Sequence, residues 1–185
     1  MQAGDAGAAL IIGKGNAAFE IVGVNSIYAD FVDHYRAQGQ KSDYTLEERW
    51  FRDEAVSKLA PQVVAPVLKR AGITPSDIDH LIAPFSNPKL SQAAARALRI
   101  EKSAIADGCY MQCGNAGAAH PFLALGAVIE KAKPGEWVLL TAFGQGCDVV
   151  LMRATAEISR LATQQSLKTQ LDKGSTEENL SLIHI

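Results

Sequence analysis

Cysteine is scarce in this chain: three in 185 residues, Cys109, Cys113 and Cys147, with no CxxC pair among them. So small and odd a set argues against a zinc knuckle and against a disulfide framework, and a reducing cytoplasm is the expected setting. Positive charge is not concentrated either: 18 Lys and Arg are scattered among 20 Asp and Glu, for a net charge of -2. The basic stripe that a nucleic-acid binder needs is missing. No apolar run approaches the roughly 20 residues of a transmembrane helix, and no basic region followed by an apolar segment opens the chain. Phosphate loop, dinucleotide fingerprint and metal-ligand spacing are all absent, and His34, His80 and His120 stand too far apart to suggest a metal. What is present is 48% hydrophobic content, enough for one sizeable core and too much for a disordered chain.

Along the chain, residues 1–13 read as small residues turning into an apolar strand, and 19–26 as a second strand paired with it through the glycines at 13–15. Residues 27–44 are polar and aromatic without a clean period, which suggests a surface loop or short helix. His34, beside Asp33 and Arg36, is there either a loosely packed histidine or a substrate contact. Thr45 and Glu48 form a T-x-x-E capping-box pattern before a long helix. Trp50, Phe51, Ala55, Leu59, Val63, Val64, Val67 and Leu68 recur at helical spacing as far as Lys69, while Pro61 and Pro66 predict a kink near 61. Gly72 stops that helix, 74–77 form a turn, 78–85 a strand and 89–98 a further helix. Such alternation predicts an α/β fold, a sheet flanked by helices.

The most informative stretch is 107–148. A small-residue turn, Cys113-Gly114-Asn115-Ala116-Gly117, leads to a helix beginning near Ala119, with Pro121 in its first turn, where a missing N–H does no harm. Pro134 and Gly135 end the helix, and 137–142 is the continuous apolar run of a buried strand. It opens into Phe143-Gly144-Gln145-Gly146-Cys147, whose glycines would let a ligand approach backbone amides beyond the strand's carboxyl end.

G-N-A-G-A-A, a helix, K-P-G, an apolar strand and A-F-G-Q-G together resemble the C-terminal half of the thiolase superfamily, in the branch of 3-oxoacyl-(acyl carrier protein) synthase III and hydroxymethylglutaryl-CoA synthase. The resemblance implies a thiolase-like layered fold, with 1–44 as the end of the N-terminal half plus a crossing loop and 45–155 as the C-terminal half. Residues 156–179 would be a tail, helical then disordered. The final LSLIHI, 180–185, is what a sequencing-library transposase adapter would encode in frame, so His184 carries no argument. The chain is expected to be an incomplete reading frame.

The implied activity is acyl transfer on thioesters of CoA or acyl carrier protein as substrates, with no cofactor and no metal, in a protein that is homodimeric at full length. Such chemistry needs a thiolate to take the acyl group and donors aimed at a thioester oxygen. The family's cysteine would lie upstream, leaving Cys109, Cys113 and Cys147 as packing residues. Asn115 matches the family asparagine, or is simply an asparagine suited to a turn. His120 either shares its cavity or packs the helix start. Phe85 stands where relatives of the P-H-Q-A-N type carry histidine, and Phe cannot move a proton. Asn87 falls near the residue that approaches the pantetheine arm, or makes an Asn-Pro turn. Gly144, Gln145 and Gly146 resemble the family's last glycine turn near the nucleophile. A non-catalytic thiolase-fold scaffold is the alternative reading.

Overall fold

The computed structural model describes residues 4–30, 34–35, 37–41, 44–45, 47–85, 87–162 and 167–174. Its centre is a four-stranded sheet in the order β1-β6-β5-β4, formed by β1 (Phe19–Tyr28), β4 (Ile78–Ile82), β5 (Trp137–Gly144) and β6 (Gly146–Ala154). β4 and β5 run parallel, with Ile82 opposite Leu140, whereas β6 is antiparallel to both β5 and β1. The apolar run predicted at 137–142 is thus the second strand in from the β4 side, buried from Val138 to Thr141 because helices cover both faces.

Side-chain alternation divides the core in two. Leu81, Leu139, Val149 and Leu151 point to one face and pack with Val63, Val64, Val67 and Leu68. Ile82, Val138, Leu140 and Met152 point to the other and pack with Ala124, Leu125 and Val128. The first helical layer comprises α1 (Glu48–Phe51), a π-helical stretch (Arg52–Leu59), α2 (Ala60–Ala71) and α3 (Pro88–Leu98); after the single turn α4 (Tyr110–Cys113), the second is α5 (His120–Ile129). This is the three-layered α/β/α arrangement expected of a thiolase-like half.

Several local expectations hold. Gly72 ends α2 in the left-handed region, φ 71°, with Ile73 N–H bonded to Leu68 O at 3.1 Å. Thr74 and Asp77 form the capping box of a 3₁₀ turn, Pro75–Asp77. Asn87, read either as a neighbour of the pantetheine arm or as an Asn-Pro turn, proves to be the cap of α3, its Oδ1 accepting Lys89 N–H at 2.9 Å.

Others are corrected. Residues 4–18 form no strand, and Leu10, Ile11 and Ile12 are exposed. The run between Gly7 and Gly13 is only five residues long, Ala8 to Ile12, and offers few ladder bonds to offset the entropy of ordering its flanking glycines. β1 pairs with β6 instead, from Phe19 opposite Ala154 to Tyr28 opposite Gly146. Within 27–44, read as a surface loop or short helix, Ile27 and Tyr28 extend β1, and β2 (His34–Tyr35) pairs antiparallel with β3 (Tyr44–Thr45). Asp33, Arg36 and 180–185 lie outside the described residues.

Thr45 does not cap the long helix. Its backbone belongs to β3, and the helix starts at Glu48 after Glu47, which makes no side-chain cap. The kink foreseen near 61 takes the form of the π-helical stretch, where Ala60 N–H reaches five residues back to Ala55 O. A proline ring clashes with the carbonyl four residues before it, and widening the turn ahead of Pro61 relieves that clash without breaking the helix. β4 stops at Ile82, short of the 85 expected, because the chain turns at Pro84, with Phe85 N–H bonded to Ala83 O at 2.8 Å. Beyond β6, the described residues include two helical segments of the tail, α6 (Ile158–Ala162) and α7 (Leu167–Leu171), with 163–166 outside the described residues, and Ile158 is fully buried against Ala18 and Ala154.

Candidate active site at the carboxyl edge of the sheet

The end of α5 and the residues just after it, Ala127, Val128 and Lys131, line a cavity together with Asp79 and His80 of early β4. α5 therefore runs antiparallel to β4, and its first residue, His120, lies toward the strands' carboxyl ends. The β5–β6 hairpin at Gly144–Gly146 leaves the sheet at that same edge. The two glycine bends read from the sequence thus share one edge, where open α/β sheets carry their sites.

Asn115 sits in a turn with Gly114 at φ 66° and Gly117 at φ 56°. Its Oδ1 accepts Gly117 N–H at 3.0 Å, which fixes the amide so that its NH₂ end is the other hydrogen-bonding group. Its backbone carbonyl accepts Gly4 N–H at 3.1 Å. His120 is 1% exposed. Its Nε2–H donates to Gly108 O at 2.6 Å, and its Nδ1 accepts Ala116 N–H at 3.3 Å. Burial lowers the imidazole pKa, with the Gly108 bond pulling the other way, so His120 is a neutral ring satisfied by backbone on both sides.

Phe85, in the position expected for a histidine, joins Phe143 and Phe51 in an aromatic triangle, with ring centroids 5.1 Å from Phe143 and 5.8 Å from Phe51. It packs against the helix side of the core and offers no polar atom. Asn87 uses both ends of its amide, capping α3 and donating to Glu48. Gly144 and Gln145 are exposed at the hairpin tip, where Gln145 O accepts Ala29 N–H at 3.4 Å. Gly146, at φ 125°, is buried against β1: a Cβ there would stand 1.9 Å from Ile27 O. The room left by its missing side chain holds a neighbouring carbonyl.

The three thiols are unpaired. Burial pushes Cys109 up to about 11 and Cys147 up to about 12, in each case reinforced by a nearby aspartate, and burial raises Cys113 as well. A nucleophile needs its thiolate near neutral pH, which none of these environments favours. Two cavities lie away from Asn115 and His120, one of about 200 Å³ by Asp79 and Lys131, the other of about 420 Å³ by Arg52 and Arg96. Sequence reasoning missed Tyr110, whose ring stacks on His120 at 3.6 Å; the signal available was only an aromatic next to Gly108 and Cys109. Among the described residues no group of three His, Cys, Asp or Glu could hold a metal ion, and no helix is long and apolar enough to cross a membrane.

Residues 68–153 match the family described as 3-oxoacyl-[acyl-carrier-protein (ACP)] synthase III C terminal. A hydroxymethylglutaryl-CoA synthase of Pyrobaculum arsenaticum is 30% identical over 147 residues, covering 78% of this chain and 42% of that protein. This chain thus spans less than half the length of that relative. The crystal structure of 3-oxoacyl-[acyl-carrier-protein] synthase III from Aquifex aeolicus VF5 superposes with a TM-score of 0.64 at 24% identity, covering 76% of this chain and 46% of that one. The curacin-pathway HMG synthase, solved in complex with acetyl donor-ACP, gives 0.69 at 16% identity over 89% of this chain and 45% of that one, a likeness of fold. Sheet order, layering and family match agree: the chain carries the C-terminal part of a thiolase-like protein of the 3-oxoacyl-(acyl carrier protein) synthase III and hydroxymethylglutaryl-CoA synthase kind.

Proposed function

We propose that these residues form one half of an acyltransferase that condenses acyl thioesters of CoA or of an acyl carrier protein, with Asn115 aiming its amide at the thioester of the incoming nucleophile. The observation that carries this is Asn115 itself: an oriented amide in a glycine turn, at the carboxyl edge of the sheet, inside the family-matched stretch. A donor positioned where negative charge develops stabilises an enolate or tetrahedral oxyanion. The reactive cysteine comes from outside these 185 residues, since Cys109 and Cys147 are buried and all three thiols are raised, and the chain alone is inactive.

Two further observations support the substrate class. The P. arsenaticum relative is by name a CoA-thioester enzyme, and the curacin neighbour was captured with a carrier protein. The thioester is substrate, no cofactor is needed, and the reducing cytoplasm suits three unpaired thiols. Assembly as a homodimer would give the exposed Val22 and Val24 of β1 a companion surface.

The second reading, a thiolase-fold scaffold without catalysis, is favoured by one observation: Phe85 replaces an acid-base group with a packed ring. Radiolabelled acetyl-CoA separates the two. The 185-residue chain should take up no label, whereas the gene product joining it to a cysteine-bearing half should form a hydroxylamine-sensitive thioester. Asn115→Ala should then slow condensation by about 10²–10³ without slowing acyl loading. A longer protein that takes up no label would be the scaffold.

A further inference from the structure

The turn that bears Asn115 is fastened from behind by an arrangement outside the reacting groups. Cys109, at φ 56°, adopts a left-handed conformation that returns Tyr110 over Gly108. A Cβ on Gly108 would stand 2.7 Å from Tyr110 Cε2, so the close approach needs glycine there. The Tyr110 ring lies 3.6 Å from the His120 ring and 16° from parallel to it. The stacked imidazole holds two backbone segments, donating to Gly108 O at 2.6 Å and accepting at 3.3 Å from the amide that joins Asn115 to Ala116. Tyr110 contributes its ring alone, since its buried hydroxyl has no hydrogen-bond partner among the described residues.

We propose that Tyr110 and His120 are the positioning pair of this site: stacked, they lock the peptide between Asn115 and Ala116 and so set the direction of the Asn115 amide. The proposal rests on the functional reading above for the use of that amide, but not for the geometry. His120 acts through its Nδ1 acceptor, and Tyr110 acts through its ring face. Neither moves a proton in the reaction.

Two side chains split the imidazole's roles. Asparagine places an oxygen near where Nδ1 stands, and glutamine places an amide nitrogen near where Nε2 stands. By amide hydrogen exchange on the 185-residue chain, His120→Asn should keep Ala116 protection within about threefold, whereas His120→Gln should lose about tenfold, the worth of one hydrogen bond. Tyr110→Phe should leave that protection unchanged, and Tyr110→Ala should lower it about tenfold. Equal effects of Asn and Gln at 120, or equal protection in Tyr110→Phe and Tyr110→Ala, would overturn the pairing. Should a variant not fold, ¹⁵N shifts of the unaltered protein decide the matter: an Nε2–H neutral tautomer at pH 7 is expected, and an Nδ1–H tautomer or an imidazolium refutes it. In the longer, active protein His120→Gln should lower kcat with KM within about twofold. An inactive longer protein would remove the functional reading, while exchange and tautomer would still judge the positioning pair.

Discussion

Gly144 and Gly146 stand two residues apart in one hairpin, and the structure assigns them opposite tolerance to a side chain. At Gly146 the backbone has φ 125°, and an added Cβ would lie 1.9 Å from Ile27 O and 2.9 Å from Ile27 C. A methyl group there meets two penalties, a conformation that L-residues avoid, at about 1–3 kcal/mol, and a clash with backbone. Relief requires Ile27 and Tyr28 to leave their partners Cys147 and Gly146 at the end of the β1–β6 ladder, and each bond lost is worth about 0.5–1.5 kcal/mol. Gly146→Ala should therefore destabilise by about 2–5 kcal/mol, a fall of roughly 4–20 °C in Tm for a chain of this size. At Gly144 nothing lies within 4 Å of an added Cβ. Gly144→Ala should stay within about 0.5 kcal/mol of the parent. Urea unfolding followed by circular dichroism reads both, with an unchanged m-value showing that the native state is what suffers. If the two variants melt together, the backbone contact between β1 and the hairpin does not exist, and the sheet order falls with it.

Two more outcomes are expected. Glu136 loses some tendency to ionise through burial, but Lys133 N–H at 2.8 Å and the His80 ring at 2.8 Å outweigh that and hold its carboxyl below the ordinary 4.5. A depressed carboxylate stabilises fully above its ordinary value and loses that contribution as pH falls through the folded one, so Glu136→Gln should flatten the stability curve below about pH 4.5. An unaltered acid limb in that variant would refute it. Cys109, at about 11 against an ordinary 9.0, holds roughly 100-fold less thiolate at neutral pH than a free cysteine, so it should react with a thiol reagent far more slowly folded than in urea. Equal rates in the two states would contradict the burial.

What the sequence disclosed was local. Asn87 before Pro88, Gly72 after an apolar helix and Pro121 in a first turn each act within a few residues, and each does in the structure what its chemistry suggests. The apolar run from Val138 to Thr141 showed double-faced burial because no polar residue interrupts it. The failures were questions of partner. Nothing in F-E-I-V-G-V-N-S says that its neighbour is β6 and not the run at 10–12. The T-x-x-E pattern at Thr45 was overruled by a two-residue ladder with His34, again a contact from a distance. At the site, the turn around Asn115 was legible through its glycines. Its fastening was not, because a ring stack between Tyr110 and His120 leaves no spacing signal.

The strand β1 finds its partner across a separation of 122 positions, as the Ser26–Asp148 hydrogen bond records. Closing so long a loop is entropically uphill until the ladder forms, so during stepwise synthesis β1 waits, unpaired and carrying Ile21, Val22 and Val24, until the last sheet strand leaves the ribosome. For that interval the nascent chain holds a sticky ribbon open, and a holdase chaperone or a rapid translation rate over residues 30–145 would govern yield more than final stability does.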